Sequence, residues 1–139
     1  GPHVRGVGNS GGEHDYGHGE VDDAQAVVDY ARAQHGDVPL VLAGFSFGSY
    51  VAAQLRQRID ARHLIMLGAA VSPKYAMPNV PADTIVIHGE HDEVISLAQV
   101  LDWARPQSLP VVVFPGVGHF FHGTLVLLQQ YVQRLVPSL

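Results

Sequence analysis

Ser46 lies in Gly44-Phe45-Ser46-Phe47-Gly48, a G-x-S-x-G pentapeptide set between the apolar run 38–43 and a helical pattern that starts at Phe47. In a chain with 15 glycines the pentapeptide alone is weak evidence, and its meaning comes from the strand before it and the helix after it. In such a turn a strained backbone thrusts the serine hydroxyl out of the sheet, and side chains two residues before and after it would collide, so Gly44 and Gly48 are required. The helix N-terminus behind the serine adds positive potential, and the Phe47 N–H can face a developing oxyanion. The plainer alternative is a Gly-flanked serine at an ordinary strand–helix turn.

A serine hydroxyl attacks a carbonyl only when a base takes its proton. Nine histidines are available. His119, in Pro115-Gly116-Val117-Gly118-His119-Phe120, follows directly on the apolar run 111–114, on a Gly-rich loop able to turn its ring back across a sheet edge. His122 is the weaker candidate and falls inside the helix expected over 120–135. His3, His35 and His63 read as surface or satisfied core residues. The acid that orients the base is expected in His88-Gly89-Glu90-His91-Asp92-Glu93, after the apolar run 84–88. Asp92 fits best the chain order Ser, Asp, His, with Glu90 and Glu93 as competitors and a solvated acidic loop as the plain alternative.

These three segments need a scaffold that brings them to one edge. Helical spacing over 20–34 places Val21, Ala24, Val28 and Ala31 on one face, with Val27 broadening the stripe. The runs 38–43, 63–70, 84–88 and 111–114 are short and continuously apolar, as for strands buried on both faces. Helices are expected over 47–58, over 96–104 (inward Leu97, Val100, Leu101, Ala104) and over 120–135 (inward Leu125, Leu128, Tyr131, Leu135). Strands alternating with helices imply a parallel sheet with helices on both faces, an α/β fold in one domain spanning 1–139. In such sheets chemistry gathers at the carboxyl ends of the strands, where Ser46, Asp92 and His119 fall.

Composition narrows the partners. The formal net charge is -5, the eight Lys and Arg residues are scattered, and Lys74 is the sole lysine, which argues against nucleic acid and against a polybasic membrane contact. With no cysteine, disulfides, thiolate metal sites and a cysteine nucleophile are excluded. No apolar run approaches the ~20 residues of a membrane span. The expected setting is the cytoplasm and the expected partner a small-molecule acyl substrate, with no cofactor.

Two rival motifs are weaker. Gly6-Val7-Gly8-Asn9-Ser10-Gly11 matches the dinucleotide fingerprint G-x-G-x-x-G, but no helix can open before about residue 19, so a turn-forming loop is the better reading. The pairs His14/His18, His88/His91 and His119/His122 suggest metal by spacing, yet a zinc site needs several ligands converging on one ion.

GFSFG, HGEHDEV and GVGHFFHG, in that order after successive strands, resemble the α/β-hydrolase superfamily. RGVGNSGG followed by DYGHGEVDD and a helix resembles its small bacterial serine hydrolases without a lid, the carboxylesterases of dienelactone-hydrolase type. The resemblance spans the chain from Val4 onward. It implies Ser46 as nucleophile, His119 as base, Asp92 as acid and Phe47 as oxyanion-hole donor. The activity implied is hydrolysis of esters of small or soluble acyl groups through an acyl-enzyme. Residues 72–83 are too few for a helical cap. Phe45, Phe47, Phe120 and Phe121 would supply an apolar wall, Phe45 and Phe120 foremost as substrate contacts. Against the family pattern, the chain is expected to lack its N-terminal strands, including the neighbour of the Ser46 strand, and with them the second oxyanion donor. The Ser46 strand would then be an exposed apolar edge open to a second copy of the chain or to the rest of the same protein. The alternative function is a non-catalytic binding or dimerisation domain of the same fold.

Overall fold

The computed structural model describes residues 4–7 and 18–137. Five parallel strands form one sheet in chain order: β1 (Val4–Val7), β2 (Leu40–Phe45), β3 (His63–Leu67), β4 (Ile85–Gly89) and β5 (Val112–Phe114). The helices are α1 (His18–His35), α2 (Phe47–Arg58), α3 (Leu97–Ala104) and α4 (Leu125–Leu135).

Side-chain alternation along the strands sorts the helices into two layers. Leu40, Leu42, Leu64, Met66 and Val86 face one way and pack with Val21 and Val28 of α1, Val51, Ala52 and Leu55 of α2, and Val100 and Ala104 of α3. Val41 and Ile65 face the other way, toward Val132 and Val136 at the end of α4, while Ile87 joins Phe114, Phe121 and Leu128. The sheet is therefore covered on both faces, as the apolar runs imply.

Several boundaries and faces differ from the sequence reading. Val4–Val7, expected only as the approach to a loop, is a strand that pairs with β2 from Val4–Leu40 to Val7–Ala43. Strand pairing uses backbone groups, which a short extended segment offers without any side-chain pattern to betray it. The Ser46 strand is thus flanked on both sides and is not an edge. The half-buried Ala43 and Leu67 instead line, with Leu125 and Val132, a groove of about 370 Å³ floored by the buried Val41, Ile65 and Leu128. The last helix begins at Leu125 because Phe121 (φ 55°) and Gly123 (φ 77°) take left-handed backbone that no helix can continue through. His122 consequently lies in a turn, not in the helix. Leu125, at 62% exposure, points out, with Leu135, Leu101 and Val27 also exposed, so the inward stripes of these helices are narrower than their apolar spacing suggests.

Candidate active site

The end of β2 bends sharply into α2 at Ser46, whose φ of 56° and ψ of -125° lie in a region costing about 1–3 kcal/mol for a residue with a Cβ. Hydrogen bonds hold it there. The Ser46 N–H donates to Leu67 O of β3 (2.8 Å), and Ser46 O accepts from the Ser49 N–H (2.8 Å) and from Ser49 Oγ (2.5 Å). Ser49 Oγ in turn accepts from the Ala70 N–H at 2.9 Å, so the fully buried Ser49 ties the turn to the segment after β3. Tightness also explains Gly44: a Cβ there would sit 2.1 Å from Gly48 O.

His119 reaches Ser46 from the loop after β5. Its Nε2 is 2.9 Å from Ser46 Oγ and its Nδ1 is 2.7 Å from Asp92 Oδ2. An ionised carboxylate can only accept, so Nδ1 carries the proton and Nε2 is left as the acceptor facing the serine hydroxyl. His119 and Asp92 are buried, while Ser46 is half-exposed. Asp92 Oδ1 accepts from the Val94 and Ile95 N–H groups at 2.9 and 2.8 Å, which leaves Oδ2 directed at the imidazole.

The competing acids do different work. Glu90 Oε1 accepts from the Gly116 N–H (2.8 Å) and Glu93 Oε2 from the His119 N–H (3.4 Å), so both brace the loop that carries the imidazole. Two backbone bonds, Glu90 N–H to Phe114 O (3.0 Å) and His91 N–H to Val117 O (2.9 Å), stitch the Asp92 loop to the His119 loop. Gly89 permits that approach, since a Cβ there would meet Val117 O at 2.3 Å.

The aromatic wall divides in two. Phe45 and Phe120 flank the imidazole, with ring centroids 5.0 and 4.9 Å from His119. Both also line an apolar recess of about 290 Å³ with Leu67, Phe121, Leu125 and Leu128. Phe47, also expected in the wall, is a core residue that stacks near Tyr50 and Tyr75, while Phe121 lines the recess from a buried position, edge-on against Phe114. The Phe47 backbone keeps its place as the first residue of α2, where an N–H has no partner four residues back.

Sequence reasoning missed three supports. Ser49 gave a faint signal as a hydroxyl among the inward residues of α2, and His88 as a polar ring closing the apolar run 84–88. The bracing by Glu90 and Glu93 had none, because it depends on two loops meeting. Of the rival motifs, residues 8–11 of the glycine fingerprint and the side chains of the His14/His18 pair lie outside the described residues. Among the described residues no three His, Asp or Glu side chains gather as a metal site would need, and no helix is long and apolar enough to cross a membrane.

A family model described as serine aminopeptidase, S33, matches residues 3–83, more than half of the chain, and so takes in Ser46 but neither Asp92 nor His119. The chain is similar to a Xanthomonas campestris α/β serine hydrolase without lid (35% identity, TM-score 0.82), covering 94% of this chain and 62% of that one. It is similar to an α/β serine hydrolase homologue from Coxiella burnetii (34% identity, TM-score 0.78), covering 97% and 65%. It is 30% identical over 131 residues to the uncharacterized protein RP471 of Rickettsia prowazekii, covering 84% of this chain and 55% of that protein. The chain thus spans less than two thirds of each relative's length.

Proposed function

We propose, for a chain that belongs to the serine aminopeptidase S33 family and has the fold of the α/β serine hydrolases, that Ser46, His119 and Asp92 act as a catalytic triad. The observation that carries this reading is the unbroken hydrogen-bond chain from Ser46 Oγ through the imidazole to the buried Asp92 carboxylate. Ser46 Oγ attacks an acyl carbonyl as its proton passes to His119 Nε2. The ring, now cationic, is stabilised by Asp92 and returns the proton to the leaving group. Water then attacks the acyl-enzyme as His119 again takes a proton, the acyl–Oγ bond breaks as that proton passes to Ser46 Oγ, and the acid product leaves. The Phe47 N–H, at the start of α2, is the oxyanion donor in this scheme.

Esters of small or soluble acyl groups are the proposed substrates, and the cytoplasm the proposed setting. Two features support the substrate class. No helix lies between β3 and β4 to cap Ser46, and the recess beside Phe45 and Phe120 is apolar and of modest volume. A fluorophosphonate probe tests the reading, read by intact mass beside a Ser46→Ala variant. One adduct on the parent and none on the variant is expected. A folded parent that takes no adduct would mean a binding or dimerisation domain of hydrolase fold instead.

A further inference from the structure

His88 is fully buried at the end of β4, in a strand otherwise built of Ile85, Val86, Ile87 and Gly89. Burying an imidazole among such side chains is unfavourable unless its polar atoms are bonded. Its Nε2 lies 2.7 Å from Ile95 O and 3.3 Å from Asp92 Oδ2. A carbonyl can only accept, so Nε2 carries the ring proton and donates it to Ile95 O, with Asp92 Oδ2 as a close neighbour. Nδ1 is buried with no hydrogen-bond partner among the described residues. The ring therefore contributes through one nitrogen, and that nitrogen faces the acid proposed to orient His119.

We propose that His88 is a positioning residue for Asp92: its Nε2–H clamps the loop between β4 and α3 shut at Ile95 O and, through that clamp, sets the Ile95 N–H that fixes the Asp92 carboxylate. The inference rests on the triad reading for its consequence and on geometry for its content. The N–H groups of Val94 and Ile95 hold Oδ1, so the setting of the carboxylate depends on where that stretch of backbone is held. At the other oxygen His119 Nδ1–H is the donor at 2.7 Å, and the His88 Nε2–H, bonded to Ile95 O, lies 3.3 Å away, where its dipole favours the carboxylate charge. Ile95 also supplies the backbone N–H that holds Oδ1, so the bond from His88 to its carbonyl stabilises the Asp92 pocket from outside.

The test compares His88→Gln with His88→Asn. A Gln amide nitrogen reaches about as far as Nε2, whereas an Asn amide reaches only about as far as Nδ1. Two readouts are taken: the rate of fluorophosphonate labelling at Ser46, and the low-field proton resonance of the His119–Asp92 hydrogen bond. The Asn variant, folded by its melting curve, is expected to label about 10- to 100-fold more slowly and to lose the low-field proton, because a small misplacement of a catalytic group carries penalties of that order. The Gln variant is expected to keep the proton and label within a few-fold of the parent. A folded Asn variant that keeps both, or a Gln variant that loses both, overturns the proposal. Should the Asn variant fail to fold, the Gln variant decides by the same criterion. A parent that shows the low-field proton but takes no label would count against the hydrolase reading, while the role of His88 would still be decided by the proton.

Discussion

Replacing Asp92 with Asn should leave a folded protein with a base of the wrong tautomer. The orientation of the new amide follows from its neighbours. Val94 and Ile95 present two N–H donors at 2.9 and 2.8 Å, so the amide oxygen must occupy the Oδ1 position. The opposite flip would set NH₂ against both donors and leave two bonds unmade, each costing about 1–3 kcal/mol when buried. With the oxygen so placed, the NH₂ group takes the Oδ2 position, 2.7 Å from His119 Nδ1. His119 can then be bonded only through an unprotonated Nδ1, its proton moves to Nε2, and Nε2 can no longer accept from Ser46 Oγ. The expected loss in turnover is about 10⁴-fold, roughly 5 kcal/mol of transition-state stabilisation. The NH₂ group also faces the donor Nε2–H of His88 across 3.3 Å, so a small loss of stability should accompany it. The assay is the rate of fluorophosphonate labelling and of ester hydrolysis for parent and variant, with melting curves to show that both are folded. A folded variant within tenfold of the parent would refute both the tautomer argument and the assignment of Asp92.

Two further substitutions probe other parts of the site. Gly44→Ala places a methyl 2.1 Å from Gly48 O, backbone that cannot rotate away, so unfolding free energy should fall by about 3 kcal/mol or more; an unchanged urea midpoint would show the turn to be looser than described. Phe120→Ala removes a ring that is 54% exposed and so should barely affect stability, but KM for an apolar acyl ester should rise about tenfold with little change for acetate. Equal effects on both esters would remove Phe120 from the acyl contacts.

Much of this protein was legible in local order. Apolar runs of four to eight residues separated by helical spacing dictate strands buried on both faces and hence a parallel sheet, since only helical crossovers can return the chain. Ser46, Asp92 and His119 could be named because each follows an apolar run, and a parallel sheet gathers the ends of its strands at one edge. Where helices start was harder to read: the left-handed backbone at Phe121 and Gly123 delays α4 to Leu125, a break that Gly123 hints at but that the apolar spacing running on from Phe120 masks.

What the sequence by itself determined is the alternation of strands and helices from α1 onward and the three side chains proposed as a triad, because hydrophobic period and turn chemistry act over a few residues. Tertiary structure alone decided the rest. It paired β1 with β2, turned Phe47 and Phe121 into the core, assigned Glu90 and Glu93 to bracing the His119 loop, and put His88 behind Asp92. Each of these depends on contacts between segments distant in sequence or on the exact rotation of a backbone turn, and what separates Asp92 from Glu90 and Glu93 is that its loop buries it against His119.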